Sequence, residues 1–143
     1  MSRIGSVLCL FLLATVAAVA APKPPQSSQP FPKTLINARY VYVTGYDGDQ
    51  FDRNLLPEDR QAISDVQNAI REWGHYIVVY NPRQADMILA VQKRGSEDVL
   101  AVYDPGFNRD STYLWRAMGR GGLDKNELPL FGYFRVAVEN ASK

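Results

Sequence analysis

The run Met87-Ile88-Leu89-Ala90-Val91 constrains this chain more than any other segment. Successive strand residues point to opposite faces of a sheet, so consecutive apolar residues need cover on both faces. A run this short, entered by Asp86 and followed by Gln92, reads as a strand at the centre of a sheet. The rest of the chain must supply strands on either side of it and layers above and below.

The flanking sequence supplies both. Ile36 to Thr44 reads as a first strand, with Tyr40, Tyr42 and Thr44 alternating with Val41 and Val43. Residues 45–56 form a polar loop. Pro57 opens a helix, where its missing N–H costs nothing, and Glu58 and Asp59 suit the first turn of the helix dipole. Ile63, Val66, Ile70 and Trp73 then recur at helical spacing and turn one stripe toward a core. Gly74 ends this helix as a left-handed cap. Tyr76 to Tyr80 is the second strand, broken by Asn81-Pro82. Asp86 to Gln92 is the third, with Asp86 expected to bond local backbone amides at the strand entrance. Val99 to Asp104 is the fourth, closed by Asp104-Pro105-Gly106, and Thr112 to Met118 is the fifth. After the loop Gly119-Arg120-Gly121-Gly122, a second helix is predicted from Glu127 to Ala141. Leu130, Phe131, Phe134, Ala137, Val138 and Ala141 carry its apolar spacing, and Gly132 weakens it by ~1 kcal/mol relative to alanine.

The expected class is α+β (mixed α/β), in the order β-α-β-β-β-β-α. One mixed sheet carries both helices on one face. The first connection is a right-handed crossover if the strands it joins are parallel. The later, shorter connections suggest antiparallel neighbours.

The amino-terminal end reads differently. Arg3 supplies a positive charge, Ile4 to Val19 is uncharged and mostly apolar, and Ala18-Val19-Ala20 places small residues two apart before Pro22. This is the order of a cleavable secretory signal over residues 1–20, cut after Ala20 with Ala21 as the alternative. A retained anchor fits less well, because the apolar run is short for a bilayer span. The expected address is therefore periplasmic or secreted. Cleavage removes Cys9, the only cysteine among the 143 residues, and leaves 123. It also removes Arg3, so the 16 basic residues become 15 against 15 acidic ones. A neutral chain lacks the basic footprint of a nucleic-acid or anionic-membrane binder. No later apolar run is long enough to span a bilayer. Residues 21–33 contain five prolines and read as an extended or disordered tether, with a proline-rich ligand as the functional alternative. Residues 34–143 are the expected folded domain. Asn140-Ala141-Ser142 matches a glycosylation acceptor, relevant only for a eukaryotic source.

Chemistry is sparsely marked. His75, the single histidine, sits at a helix end where a cation is stabilised by the dipole. One histidine and no mature cysteine leave no ordinary structural zinc set, and no cofactor is expected. Asp47, Asp49 and Asp52 are weak candidates for calcium, but they do not match the twelve-residue calcium loop and read as turn formers. No serine carries the Gly-x-Ser-x-Gly elbow, and nothing places one beside His75. Carboxylate pairs need no fixed spacing, so a small hydrolase stays open on sequence alone. Gly119 to Gly122 lacks the Lys and Ser/Thr of a phosphate loop.

One surface stands out. If Val41, Val43, Ile77 and Val79 face the helices, then Tyr40, Tyr42, Tyr76 and Tyr80 face away, joined by Tyr103, Tyr113 and Trp115. That makes an aromatic sheet face suited to an interface. Arg116, next to Trp115, points to the opposite face from it.

The Trp73-Gly74 helix end, Tyr76-Ile77-Val78-Val79, Ala85-Asp86 leading into Met87–Val91, and Leu114-Trp115-Arg116 together resemble small bacterial envelope proteins of unknown function. These include lipoprotein-type domains. More distantly the order of elements resembles the amino-terminal domain of TolB and curli-secretion lipoprotein domains. The resemblance spans residues 36–141 and implies a fold and an envelope address, with no catalytic residues to carry over. Members are often lipidated. Here Cys9 lies inside the apolar run behind Leu8, which departs from that pattern. The leading expectation is a non-enzymatic envelope or secreted module that binds a protein or another envelope component, with an envelope protein or itself as the partner. The alternatives are a small carboxylate- or metal-dependent hydrolase and a self-associating structural protein.

Overall fold

A computed structural model describes residues 29–108 and 110–143. Seven main elements follow the expected order: β1 (Tyr40–Gly45), α1 (Pro57–Trp73), β2 (Ile77–Val79), β3 (Met87–Gln92), β4 (Asp98–Tyr103), β5 (Trp115–Gly119) and α2 (Pro129–Ala141). They build one five-stranded sheet in the order β2-β1-β3-β4-β5. The apolar run 87–91 is its central strand, buried on both faces as the pattern requires.

β1 pairs in parallel with both β2 and β3, while β3, β4 and β5 pair antiparallel. The short connection from β2 to β3 therefore does not make antiparallel neighbours, contrary to expectation. It carries the chain across β1 through a short 3-10 turn at Pro82–Gln84. Ala85, just beyond, packs with Tyr42 and Ile88 on the face away from the helices. The β1–α1–β2 crossover runs one way over one face, and the β2–β3 crossover runs back over the other, so the two share a hand. Asp86 ends that crossing. Its Oδ2 accepts from the amides of Arg39 and Tyr40 at 2.9 and 3.1 Å, so it ties β3 to the start of β1 rather than capping its own strand.

Both helices cover the same face. Ile63, Val66 and Ile70 of α1, with Leu130, Phe134 and Val138 of α2, close over Val41, Val43, Met87, Leu89, Leu100 and Val102. Full burial of a side chain such as Phe134 contributes about 2–3 kcal/mol. Pro57 occupies the first turn of α1, and Gly74 closes the helix with φ 73°, the left-handed backbone that glycine adopts without a Cβ penalty. α2 begins at Pro129 rather than Glu127, following Leu128, whose φ is 41°.

The expected tether reaches less far than Lys33. The Trp115 indole donates to the Gln29 carbonyl at 3.0 Å, and the Gln29 side-chain amide donates to the Leu114 carbonyl at 3.0 Å. Phe31 is buried edge-on to Phe134. Residues 29–33 thus belong to the folded unit, because an aromatic ring among the prolines fills part of the core. The expected leader over residues 1–20, its expected cleavage site and residues 21–28 lie outside the described residues. No helix among the described residues is long and apolar enough to cross a membrane.

Candidate functional site

The aromatic residues singled out in the sequence divide between the two faces. Tyr42 and Tyr103 lie on the helix-free face, as expected, with Tyr113 packed against them. Tyr40 pairs with Ile77 at the β2 side of the sheet and is partly exposed. Tyr76 and Trp115 do not join them, since both are buried in the core beneath the helices. Tyr80 lies just past β2, where Arg71 of α1 donates to its hydroxyl and holds its guanidinium 5.9 Å from the ring centre.

The reasons are registers. Val41 pairs with Val78, and Val102 pairs with Trp115, so Val78 and Trp115 must share the helix-facing side. In Tyr76-Ile77-Val78-Val79-Tyr80 three aliphatic residues run together, and no alternation marks the phase. A one-residue shift then moves every side chain to the other face. Ile77, expected to face the helices, is half exposed instead. Arg116 does point away from Trp115, and its guanidinium sits 4.3 Å from the Tyr113 ring centre.

The helix-free face is not an open platform. Ile88, Ala90 and Ala101 are almost fully buried there, under Tyr42, Tyr103, the crossover at residues 82–85 and the loop after β4. That loop brings in Phe107, which the sequence reading did not single out. Its ring lies 4.2 Å from Tyr103 and 6.5 Å from Tyr46, nearly perpendicular to the latter. Tyr46 and Tyr103 also meet edge to face, and the Tyr103 hydroxyl donates to that of Tyr46 at 2.9 Å. Tyr46 was equally missed. It follows Gly45, where strand alternation stops being a guide.

Between these groups lies a cleft of about 290 Å³, at the lower edge of small-ligand sites. Tyr42, Tyr46, Phe107, Pro82, Pro105 and Ile88 give its apolar surface, and Thr44, Asp47 and Asp49 give its polar rim. It opens beside the carboxyl end of β1, where outgoing chain leaves room between parallel strands. Gly45 makes the turn into its wall possible, since a Cβ there would stand 2.8 Å from the Gly48 carbonyl oxygen.

Helix α1 holds that wall in place. The Asp59 carboxylate, fully buried, accepts from the Lys93 amide at 2.8 Å and from the Arg94 guanidinium at 2.9 Å. The other arm of Arg94 reaches Asp47 at 2.7 Å. Arg60 donates to the carbonyls of Gln50 and Asp52, and the Gln67 side chain donates to that of Gln50. Nearby, buried Asp98 accepts from the amides of Arg94 and Leu123, both at 2.9 Å. Lys93 bridges Asp98 and Asp124. Desolvation opposes its charge, yet these carboxylates outweigh that and hold its amine above the ordinary range.

The phenols of the cleft keep their protons. Burial pushes the Tyr46 hydroxyl well above its usual range, against the charge of Arg116. Burial and the Asp49 carboxylate raise that of Tyr42. Asp47, Asp49 and Asp52 do not converge on a cation. Asp49 and Asp52 accept from the amides of Phe51 and Asn54, as turn formers do, while Asp47 pairs with Arg94. Among the described residues, no group of three or more His, Cys, Asp or Glu is placed to hold a metal ion. His75 lies outside the cleft, stacked on Trp73 at 4.7 Å.

Fold and site thus define an α+β domain with a helix-covered sheet face and an aromatic cleft on the other. No family model matches the chain, and neither a curated protein nor a solved structure does.

Proposed function

We propose that this chain is an exported, non-enzymatic binding module that engages its partner through the aromatic cleft. The observation that carries the reading is the convergence of Tyr42, Tyr46 and Phe107 around an open cleft on the face that neither helix covers. Apolar rings with a few fixed polar groups at the rim are the ordinary make-up of a binding site. The hydrolase alternative would need carboxylates directed into the cleft as acid and base. Here Asp47 is committed to Arg94, and one oxygen of Asp49 to a turn amide. The leader-like amino terminus and the resemblance to envelope proteins support an address outside the cytoplasm, with an envelope component as partner.

Affinity capture from envelope extract, run with the wild-type chain and with Phe107→Ala, tests this. Phe107 stands outside the main core, so the variant retains the fold, checked by circular dichroism. A partner held by the wild type and lost by the variant is the expected result. An identical set of captured proteins from both would remove the cleft from the reading.

A further inference from the structure

The cleft has an electrostatic asymmetry that narrows what it can hold. Its lining contains two carboxylates, Asp47 and Asp49, and no positively charged side chain among the described residues. Among the described residues, two cations act near it, and the charge of one, Arg116, is felt at Tyr46. Arg94 forks between Asp59 and Asp47, and Arg116 lies against the Tyr113 ring. Asp47 is thereby balanced, whereas Asp49 is not. It gives Oδ1 to the Phe51 amide at 2.8 Å and forms no ion pair among the described residues. It lines the same cleft as Tyr42, whose hydroxyl feels its charge.

The rings complete the pattern. Tyr46 stands at 80° to Tyr103 and at 85° to Phe107. Crossed rings offer negative π-faces in more than one direction, and an organic cation is attracted to such faces. A carboxylate at the rim adds Coulomb attraction for the same charge. The volume suits one compact group. An anion would meet Asp49 and the π-faces, and a neutral apolar ligand would leave the Asp49 charge unanswered.

From this geometry we infer that the cleft is a site for an organic ammonium group, held by Tyr42, Tyr46 and Phe107 with Asp49 as counter-charge. The inference rests on the binding reading above and names the chemistry of its ligand. A quaternary amine and a lysine-bearing peptide are two sources of that chemistry. The chain has a peptide of the second kind in Ala21-Pro22-Lys23-Pro24-Pro25, ahead of the anchored Gln29.

The test is a titration of the mature chain followed through the ring resonances of its tyrosines and phenylalanines. The probes are choline, its neutral isostere 3,3-dimethyl-1-butanol, N-acetyl-lysine amide and the octapeptide of residues 21–28. Choline is expected to shift cleft resonances saturably and to bind about tenfold more tightly than the isostere, the difference being the charge. Asp49→Asn preserves the acceptor for the Phe51 amide, removes the charge and is expected to weaken choline about fivefold. Tighter binding of the lysine derivative or the octapeptide than of choline would assign the source to a peptide. Equal binding of choline and its isostere overturns the inference, as does unchanged affinity in Asp49→Asn or no ring shift by any of the amines. If Phe107→Ala still abolishes capture while every amine is silent, the cation inference falls and the binding reading stands.

Discussion

The same chemical change at two buried tyrosines is expected to act with opposite sign. Tyr76 is 4% exposed and packs against Trp73, His75 and Phe134 at ring distances of 5.5, 4.6 and 6.1 Å. Its hydroxyl has no hydrogen-bond partner among the described residues. Leaving a buried hydroxyl unsatisfied costs roughly 1–3 kcal/mol. Tyr76→Phe removes that cost and leaves a void of a single oxygen, worth a few tenths of a kcal/mol at ~24 cal/mol per Å³. The net expectation is a gain of about 1 kcal/mol, or roughly 3–5 °C in Tm for a domain of this size. Tyr103→Phe instead breaks the 2.9 Å bond to Tyr46 and should cost about 1 kcal/mol. Urea denaturation of the two variants beside the wild type measures both. The alkaline limb gives a second reading. Burial pushes the Tyr76 hydroxyl up to about 12 in the folded chain, against 10.0 in the open one. Between those values the unfolded chain has released a proton that the folded chain keeps, so stability falls as pH rises. Tyr76→Phe should therefore lose less stability over that range than the wild type. A Tyr76→Phe protein less stable than wild type by 1 kcal/mol or more would refute the reasoning, since it would mean that the hydroxyl has a partner.

Three further outcomes are expected. Arg94→Ala strands the buried Asp59 carboxylate and should lower stability by about 3 kcal/mol in urea, the low end for a broken buried pair because Arg94 is partly exposed; a loss under 1 kcal/mol would show that the Lys93 amide alone satisfies Asp59. The amides of Arg39 and Tyr40 hold the Asp86 carboxyl below its ordinary range, so its contribution is present above the unfolded pKa of about 4 and is lost as pH falls through the lower, folded one. Asp86→Ala should accordingly be less stable than wild type at pH 7, with a gap that narrows toward pH 3; a constant gap would remove the carboxylate from the explanation. Intact-mass measurement of the exported protein should give a chain starting at Ala21, and a mass that retains residues 1–20 would contradict the leader reading.

Helices and strands were legible where one period dominates. Ile63, Val66 and Ile70 announce α1, and the doubly apolar Met87–Val91 announces the central strand and its two covered faces. Phase was legible in β1, where Tyr and Val alternate, and illegible in β2, where Ile77-Val78-Val79 has no alternation to read. Pairing was misread between β2 and β3, because seven residues containing Asn81-Pro82 look like a turn between neighbours. Here they are a crossover above β1. Half of the cleft was out of reach for a related reason. Tyr46 and Phe107 lie in loops, and only the three-dimensional path of those loops brings their rings to Tyr42 and Tyr103. Phe31 hid among prolines whose composition argues for an extended chain.

The crossover over β1 also bears on how the domain comes apart. β1 is the earliest strand in the chain, yet both of its neighbours are made later and reach it over opposite faces. It is held like a page between two covers and cannot leave without the loss of both parallel ladders. Its amides should exchange with solvent only in global opening, together with those of β3, while the short edge strand β2 opens first. A nascent chain that ends before Met87 has only β2 to pair with β1, so the sheet becomes cooperative only once the central strand has arrived.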